Sequence, residues 1–294
     1  RDGAETVHNP STRDQAMAVL ADILSDYAAR GRHVLVGFDF ALGLPRGSMA
    51  RLGCKDWRSL WRRLRSLVGD GADNANNRFA VADLLNRQVS GRAAPFWGRP
   101  AALETAHLSA IKADTAGLAE RRLTEQRASN TKPVWQIAYA GSVGSQTLTG
   151  LPRLEALRRH PWLAEVTRVW PFETGLKTLS KSSDWRVVLA EVYPGLLPVA
   201  ATAGEIKDKV QVTALARHYA RLDDDGRLGA LFAGEYVTAI VFIQIPFYLV
   251  SMSIASQRLR RILVSTMLAE RENERRASQD ALTGLANRAG LEAA

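Results

Sequence analysis

Three carboxylates stand where a carboxylate is costly. Asp39 interrupts the apolar run LVGFDFALGLP, and Glu191 interrupts VVLAEVYP. An acid among strand apolars must sit exposed at a strand end, be paired, or bind a metal, because burying it alone is unfavourable. Asp208 lies in AGEIKDKVQVTALARHYARL. At helical spacing it shares a face with Val212, Leu215 and Tyr219, so it is expected to point towards the sheet rather than the solvent. Two strand acids and one helix acid fit a cluster of oxygen ligands for a hard divalent cation, Mg²⁺ or Mn²⁺. Such a cluster activates water and stabilises a leaving oxygen, so Asp39, Glu191 and Asp208 are the candidate catalytic and metal-binding residues. Each acid also has a plainer reading. Asp39 and Glu191 can each pair with an arginine, and Asp208 with Glu205 can favour a helix N-terminus.

A second group could hold a ligand. AGSVGSQTLTG, residues 140–150, places Gly141, Ser142, Gly144, Ser145 and Gln146 after a predicted strand in KPVWQIAY. Backbone N–H groups of a glycine-rich loop can cradle a phosphate. The stretch matches neither a P-loop nor a dinucleotide fingerprint, and a plain tight turn is the better reading of it. Trp97 and Arg99 in PFWGRP could stack on a base or line a pocket. Core packing is the competing reading for Trp97, since the chain must accommodate seven tryptophans. His8, His33, His107, His160 and His218 show no metal-ligand spacing. Cys54 is the only cysteine, which excludes an intrachain disulfide and suits a reducing compartment. A net charge of +9 and a pI near 10.0 favour acidic partners: nucleic acid, nucleotides or anionic lipid. The same excess can simply be spread over solvated helix faces.

The elements that must position these residues read as one α/β unit over 1–233. PSTRDQAMAVLADILSDYAARG predicts a helix with Ser11 or Thr12 as N-cap, a stripe of Met17, Leu20, Leu24 and Tyr27, and Gly31 just past its end. HVLVGFDF and RVVLAEVYP predict strands, the second stopped by Pro194. Their apolar residues on both faces predict a sheet covered by helices on both sides. WRSLWRRLRSLV predicts an amphipathic helix with a basic outer face. Residues 101–130 read as helical and polar.

Composition changes after residue 233. YVTAIVFIQIPFYLVSMSI, residues 236–254, holds no charge and approaches the roughly 20 residues of a membrane span. Arg258, Arg260 and Arg261 follow, which predicts a cytoplasmic C-terminal side. Residues 255–279 read as a charged helix.

Two resemblances follow from these motifs. VGFDFALGLPRG, PFWGRP, AGSVGSQTLTGLPRL, RVWPFETG and AEVYP, followed by KDxxQVxALARHxA, resemble in order a bacterial RNase H-like family of unassigned function. Some members of that family are labelled as molybdopterin guanine dinucleotide synthesis proteins. The resemblance implies an α/β fold, a mixed sheet flanked by helices, with Asp39, Glu191 and Asp208 meeting at one site. It also implies a preceding strand with an Asp-Trp-Ser-like motif, which is not in this sequence. DALTGLANR, residues 280–288, resembles the opening signature of GGDEF diguanylate cyclases, whose metal-binding acids and GG[DE]EF turn lie further on. No cyclase activity is therefore expected. The expected organisation is composite: an RNase H-like domain over 1–233, a transmembrane-type helix over 236–254, a signalling helix over 255–279, and a GGDEF opening from 280. The first part is expected in the cytoplasm, and at the inner membrane if the span inserts. The functional expectation is a metal-dependent hydrolase or nucleotide-handling protein, the alternative being a membrane-anchored fragment of a signalling protein.

Overall fold

A computed structural model describes residues 5–128, 131–179, 184–199 and 204–233. The chain divides into two units, Arg1–Ala233 and Gly234–Ala294. The spans 236–254, 255–279 and 280–294 lie outside the described residues.

Local signals set the first helices. In α1 (Arg13–Ala29) the hydroxyl of Thr12 accepts the amide of Gln15, and Gly31 follows the helix at φ 68°. The left-handed backbone there suits glycine, which has no Cβ to clash. The basic amphipathic stretch forms α3 (Trp57–Leu67), preceded by the short α2 (Ser48–Arg51). Asp56 caps α3 reciprocally with Ser59, satisfying two amides that the helix cannot. Leu60, Trp61 and Leu64 form its buried stripe.

β1 (Val34–Phe38), β2 (Thr167–Val169) and β3 (Val187–Glu191) make one sheet in the order β1-β3-β2. Both pairings are parallel, with Val36 and Val169 each opposite Leu189. Parallel neighbours need long crossovers. Between β1 and β2 the chain builds α2, α3, α4 (Arg78–Ser90), α5 (Leu123–Arg127) and α6 (Val143–Arg158). After β3 come a 3-10 turn (Pro194–Leu196), α7 (Lys207–Asp224) and α8 (Leu228–Phe232). Val34, Val36, Phe38, Val187 and Leu189 face the main core with Trp61, Leu64, Leu148 and Leu151. Leu35, Val188 and Ala190 face a smaller cluster of Trp170, Trp185, Leu228 and Phe232. The near-continuous apolar strands thus have cover on both faces.

Four expectations are corrected. The sheet is parallel throughout the described residues, not mixed. Residues 101–130 were expected to be helical, but their described part holds only α5. Side chains satisfy this backbone instead of a helical ladder. Arg99 donates to the carbonyls of Leu103 and Leu108, and Asn86 to that of His107. KPVWQIAY makes an isolated bridge between Gln136 and Trp97 rather than a strand. Finally, no helix among the described residues is long and apolar enough to cross a membrane, and the expected fold class is corrected to helices around a small parallel sheet; the transmembrane-type helix expected over 236–254 lies outside the described residues. The longest described helix, α7 with 18 residues, carries charges such as Lys207, Lys209, Arg217 and Arg221 along its length.

Candidate functional site at the carboxyl edge of the sheet

Because the strands run parallel, their carboxyl ends share one edge, where open α/β sheets commonly bind ligands. Glu191 ends β3 opposite Phe38, and Asp39 follows directly. Side chains alternate along a strand, so Glu191 falls on the face of Leu189, and the same alternation carries Asp39 to the face of Leu35. The two acids therefore meet different surroundings.

Glu191 is held. Arg122 donates to its two carboxylate oxygens at 2.8 and 2.5 Å, and the amide of Leu42 donates to it at 3.0 Å. The guanidinium of Arg122 also donates to Glu125 at 2.8 Å, and the backbone amide of Arg122 to the second Glu125 oxygen at 2.9 Å. Side-chain exposure is only 14% for Arg122 and 5% for Glu125. Burial alone would loosen the Arg122 proton, but the bonds and charges of Glu191 and Glu125 outweigh it and hold the guanidinium above its ordinary range. The Trp61 indole fixes the same loop by donating to the Leu42 carbonyl at 3.0 Å.

Asp39 is different. It keeps access to solvent, yet no hydrogen bond or ion pair engages its carboxylate among the described residues. Protein crowding raises its pKa first, and the negative charges of Asp208 and Glu191 raise it further. Those couplings bring the three predicted acids into one electrostatic neighbourhood. Tyr193 belongs to it as well: burial and then the Asp39 charge push its phenol up, while Arg121 pulls the other way.

Asp208 lies in the first turn of α7, and the expectation that it faces the sheet is corrected. Asp208 is exposed, and Val212 on the same face is 57% exposed. α7 buries Leu222 near its other end, so its first turns stand in solvent.

The donor set fits a divalent cation in part. Asp39 and Asp208 offer hard oxygen ligands without competing partners among the described residues. Glu191 does not fit, because Arg122 and the Leu42 amide occupy its oxygens. Among the described residues no three acidic, histidine or cysteine side chains gather closely enough to hold a metal.

The ionisation of Asp39 gives a sign that can be measured. A carboxyl raised above its unfolded value adds stability only while protonated, and that stability is lost as pH rises through the folded pKa. Ionised Asp39 therefore works against folding near neutrality. Asp39→Asn is expected to melt higher than the parent chain at pH 7 without divalent cations, the difference fading towards about pH 4. Equal melting curves at pH 7 would contradict the crowding of these acids.

The glycine-rich stretch is a helix start rather than a loop. Gly141 lies at φ 82°, Ser142 precedes α6, and Gly144, Ser145 and Gln146 form its first turn. Their amides serve the chain itself: Gly144 donates to Gln136, and Ser145 and Gln146 to Ser142. A Cβ on Gly144 would lie 2.2 Å from the Val134 carbonyl oxygen and 2.7 Å from that of Gln136. Gly144 is thus there for close packing of α6 on this backbone. Gly144→Ala should cost about 1–3 kcal/mol in chemical denaturation, the usual range for overpacking; a neutral result would contradict that close approach. Trp97 is half-buried against the main core, its backbone bonded to Trp135 and Ile137. Arg99 ties the carbonyls of its own loop. Both residues are engaged structurally.

Sequence reading missed Arg122, Arg121, Tyr193 and the Leu42 amide. Only the question of which arginine neutralises Glu191 pointed to them, and its answer lies 69 residues away in the chain. Comparison with protein-family models, curated proteins and solved structures returned no match.

Proposed function

We propose that residues 1–233 handle a phosphate ester, either a phosphodiester or a nucleotide, in a hydrolysis that depends on Mg²⁺ or Mn²⁺. The observation that carries this reading is Asp39: a carboxylate at the carboxyl edge of a parallel sheet, crowded by two further acids and, among the described residues, without a hydrogen-bond or ion-pair partner. Like charges kept together at a cost to folding are a common mark of a functional site.

Asp39 and Asp208 would hold the cation. When bound, such an ion supplies charge stabilisation at a phosphoryl oxygen and a water of lowered pKa. The remaining groups act through position. Glu191 and Glu125 fix the Arg122 guanidinium at the sheet edge, so it cannot swing out as a long side chain otherwise would. Arg121 is anchored by donating to the carbonyl and hydroxyl of Thr131. Tyr193, with its phenol pushed up, stays protonated near neutrality and serves as a donor to an anionic oxygen. The test is hydrolysis of a generic phosphodiester and of nucleoside triphosphates by the full chain, with and without Mn²⁺. Cation-dependent turnover that is lost in Asp39→Asn supports the reading. Turnover unaffected by chelation or by that substitution sinks it.

A further inference from the structure

Where α3 and the end of α6 meet the segment after β2, arginines and aromatic rings gather at the surface. Arg58, Arg62 and Arg65 recur at spacings of four and three along α3, which places them on one face. Arg158 and Arg159 end α6 and its cap. Beneath them lie two buried carboxylates. Glu173 accepts from Arg58 and Arg158, both at 2.6 Å, and Glu155 accepts from Arg159 at 2.7 Å with Arg62 at 4.0 Å. Asp56 adds a third acid at the start of α3, where it feels Arg58 and Arg62. Five guanidinium groups against three carboxylates leave an excess of two positive charges. The buried acids act as anchors: Arg58 and Arg159 each use part of the donor set inward while the rest of the fork stays open to solvent, and the largely buried Arg158 backs them.

The rings are arranged to match. Arg58 and Arg158 both lie over the Trp57 ring, at 5.0 and 5.1 Å from its centroid. Phe172 stacks nearly parallel on Trp57, at 5.2 Å and 17°. Phe172 is 42% exposed, so the stack ends in a ring open to solvent. Three residues beyond Arg159, Trp162 is 77% exposed. Phe172 follows β2 as Asp39 follows β1, and a Cβ on Gly43 would lie 3.8 Å from the Phe172 ring. Gly43 adjoins Leu42, whose amide holds Glu191. The patch therefore abuts the loop that frames the acidic site.

We infer that this surface binds single-stranded nucleic acid, with bases stacking on Phe172 and Trp162 and phosphates meeting Arg58, Arg62 and Arg159. A flat ring left open at the end of a parallel stack takes another flat ring, and every base has one. Anchored guanidinium forks suit phosphate oxygens. A duplex keeps its bases inside and cannot use the rings, so single strands are preferred. This inference deepens the phosphate-ester reading by naming a polynucleotide as the substrate class, and the binding itself needs no cation.

The experiment is fluorescence anisotropy of the full chain with a labelled oligothymidylate, a labelled oligouridylate and a labelled duplex, between about 50 and 200 mM salt. Phe172→Ala and Trp162→Ala are each expected to weaken single-strand binding about tenfold, the effect of losing one stacked base. Both rings are exposed, and a melting curve verifies that each variant folds. Arg62→Gln should lower the slope of log affinity against log salt by about 0.7. The two oligonucleotides distinguish DNA from RNA, and binding to either supports the inference. The anisotropy is read without divalent cations, so failure of the hydrolysis assay alone leaves this inference standing. Unchanged affinity in both folded aromatic variants overturns it. So does binding to phosphatidylserine vesicles without binding to either single strand, or tighter binding to the duplex.

Discussion

Arg122→Ala is expected to destabilise the fold by about 3–5 kcal/mol, the range for removing one partner of a buried ion pair. The substitution strips Glu191 of both guanidinium bonds and leaves the side chain of Glu125, only 5% exposed, facing the protein without its cation. Each carboxylate must then be protonated, hydrated by local opening, or left as an uncompensated charge. For a domain of this size the melting temperature should fall by roughly 6–20 °C. The double variant in which Arg122 and Glu125 are both replaced by methionine should recover part of the loss, because it removes a charge together with its partner. Thermal and urea unfolding of the three chains measure this. A change below about 1 kcal/mol for Arg122→Ala would mean that the array is solvated and does not organise the sheet edge.

Asp39→Asn is expected to have the opposite signature: improved folding without cations, and hydrolysis reduced about 10²–10³-fold. The substitution keeps size and shape but removes one negative charge from a hard-cation site. A loss of a few kcal/mol in transition-state stabilisation corresponds to that range. Glu191→Gln separates the roles of the two acids. It weakens the hold on Arg122 and should lower stability, whereas Asp39→Asn should not. A residue that only supports the fold would lose stability and activity together. A functional carboxylate gains one while losing the other.

The parts of this fold that were legible in the sequence were those decided locally. Thr12 and Gly31 bracket α1 because a hydroxyl cap and a left-handed turn are short-range devices. HVLVGFDF and RVVLAEVYP yielded β1 and β3 because apolar runs of that length have few other uses. Parallel pairing was not legible, since β1 and β3 are joined across most of the domain and no local residue records the partner. Residues 101–122 misled because polarity was read as helix, while their backbone is satisfied by distant side chains such as Arg99 and Asn86.

The acids divide in the same way. Periodicity showed correctly that Asp208 and Val212 share a face of α7, but it cannot say whether that face meets the sheet or the solvent. Strand composition marked Asp39 and Glu191 as exceptional without revealing that, among the described residues, Glu191 is paired with a cation and Asp39 is not. Arg122 decides that difference, and its contact with Glu191 depends on how an irregular segment is folded back onto the sheet.

The central claim is that Asp39, and not the arginine-bound Glu191, is the acid that holds a divalent cation. The direct measurement is titration of the full chain with Mn²⁺, following the spectrum of the unbound ion by electron paramagnetic resonance, in the parent, Asp39→Asn and Glu191→Gln. The account predicts saturable binding by the parent, weakened about tenfold or more in Asp39→Asn and changed much less in Glu191→Gln, whose side chain the cation does not need. Equal Mn²⁺ binding by the parent and Asp39→Asn, or its loss in a folded Glu191→Gln alone, would contradict it.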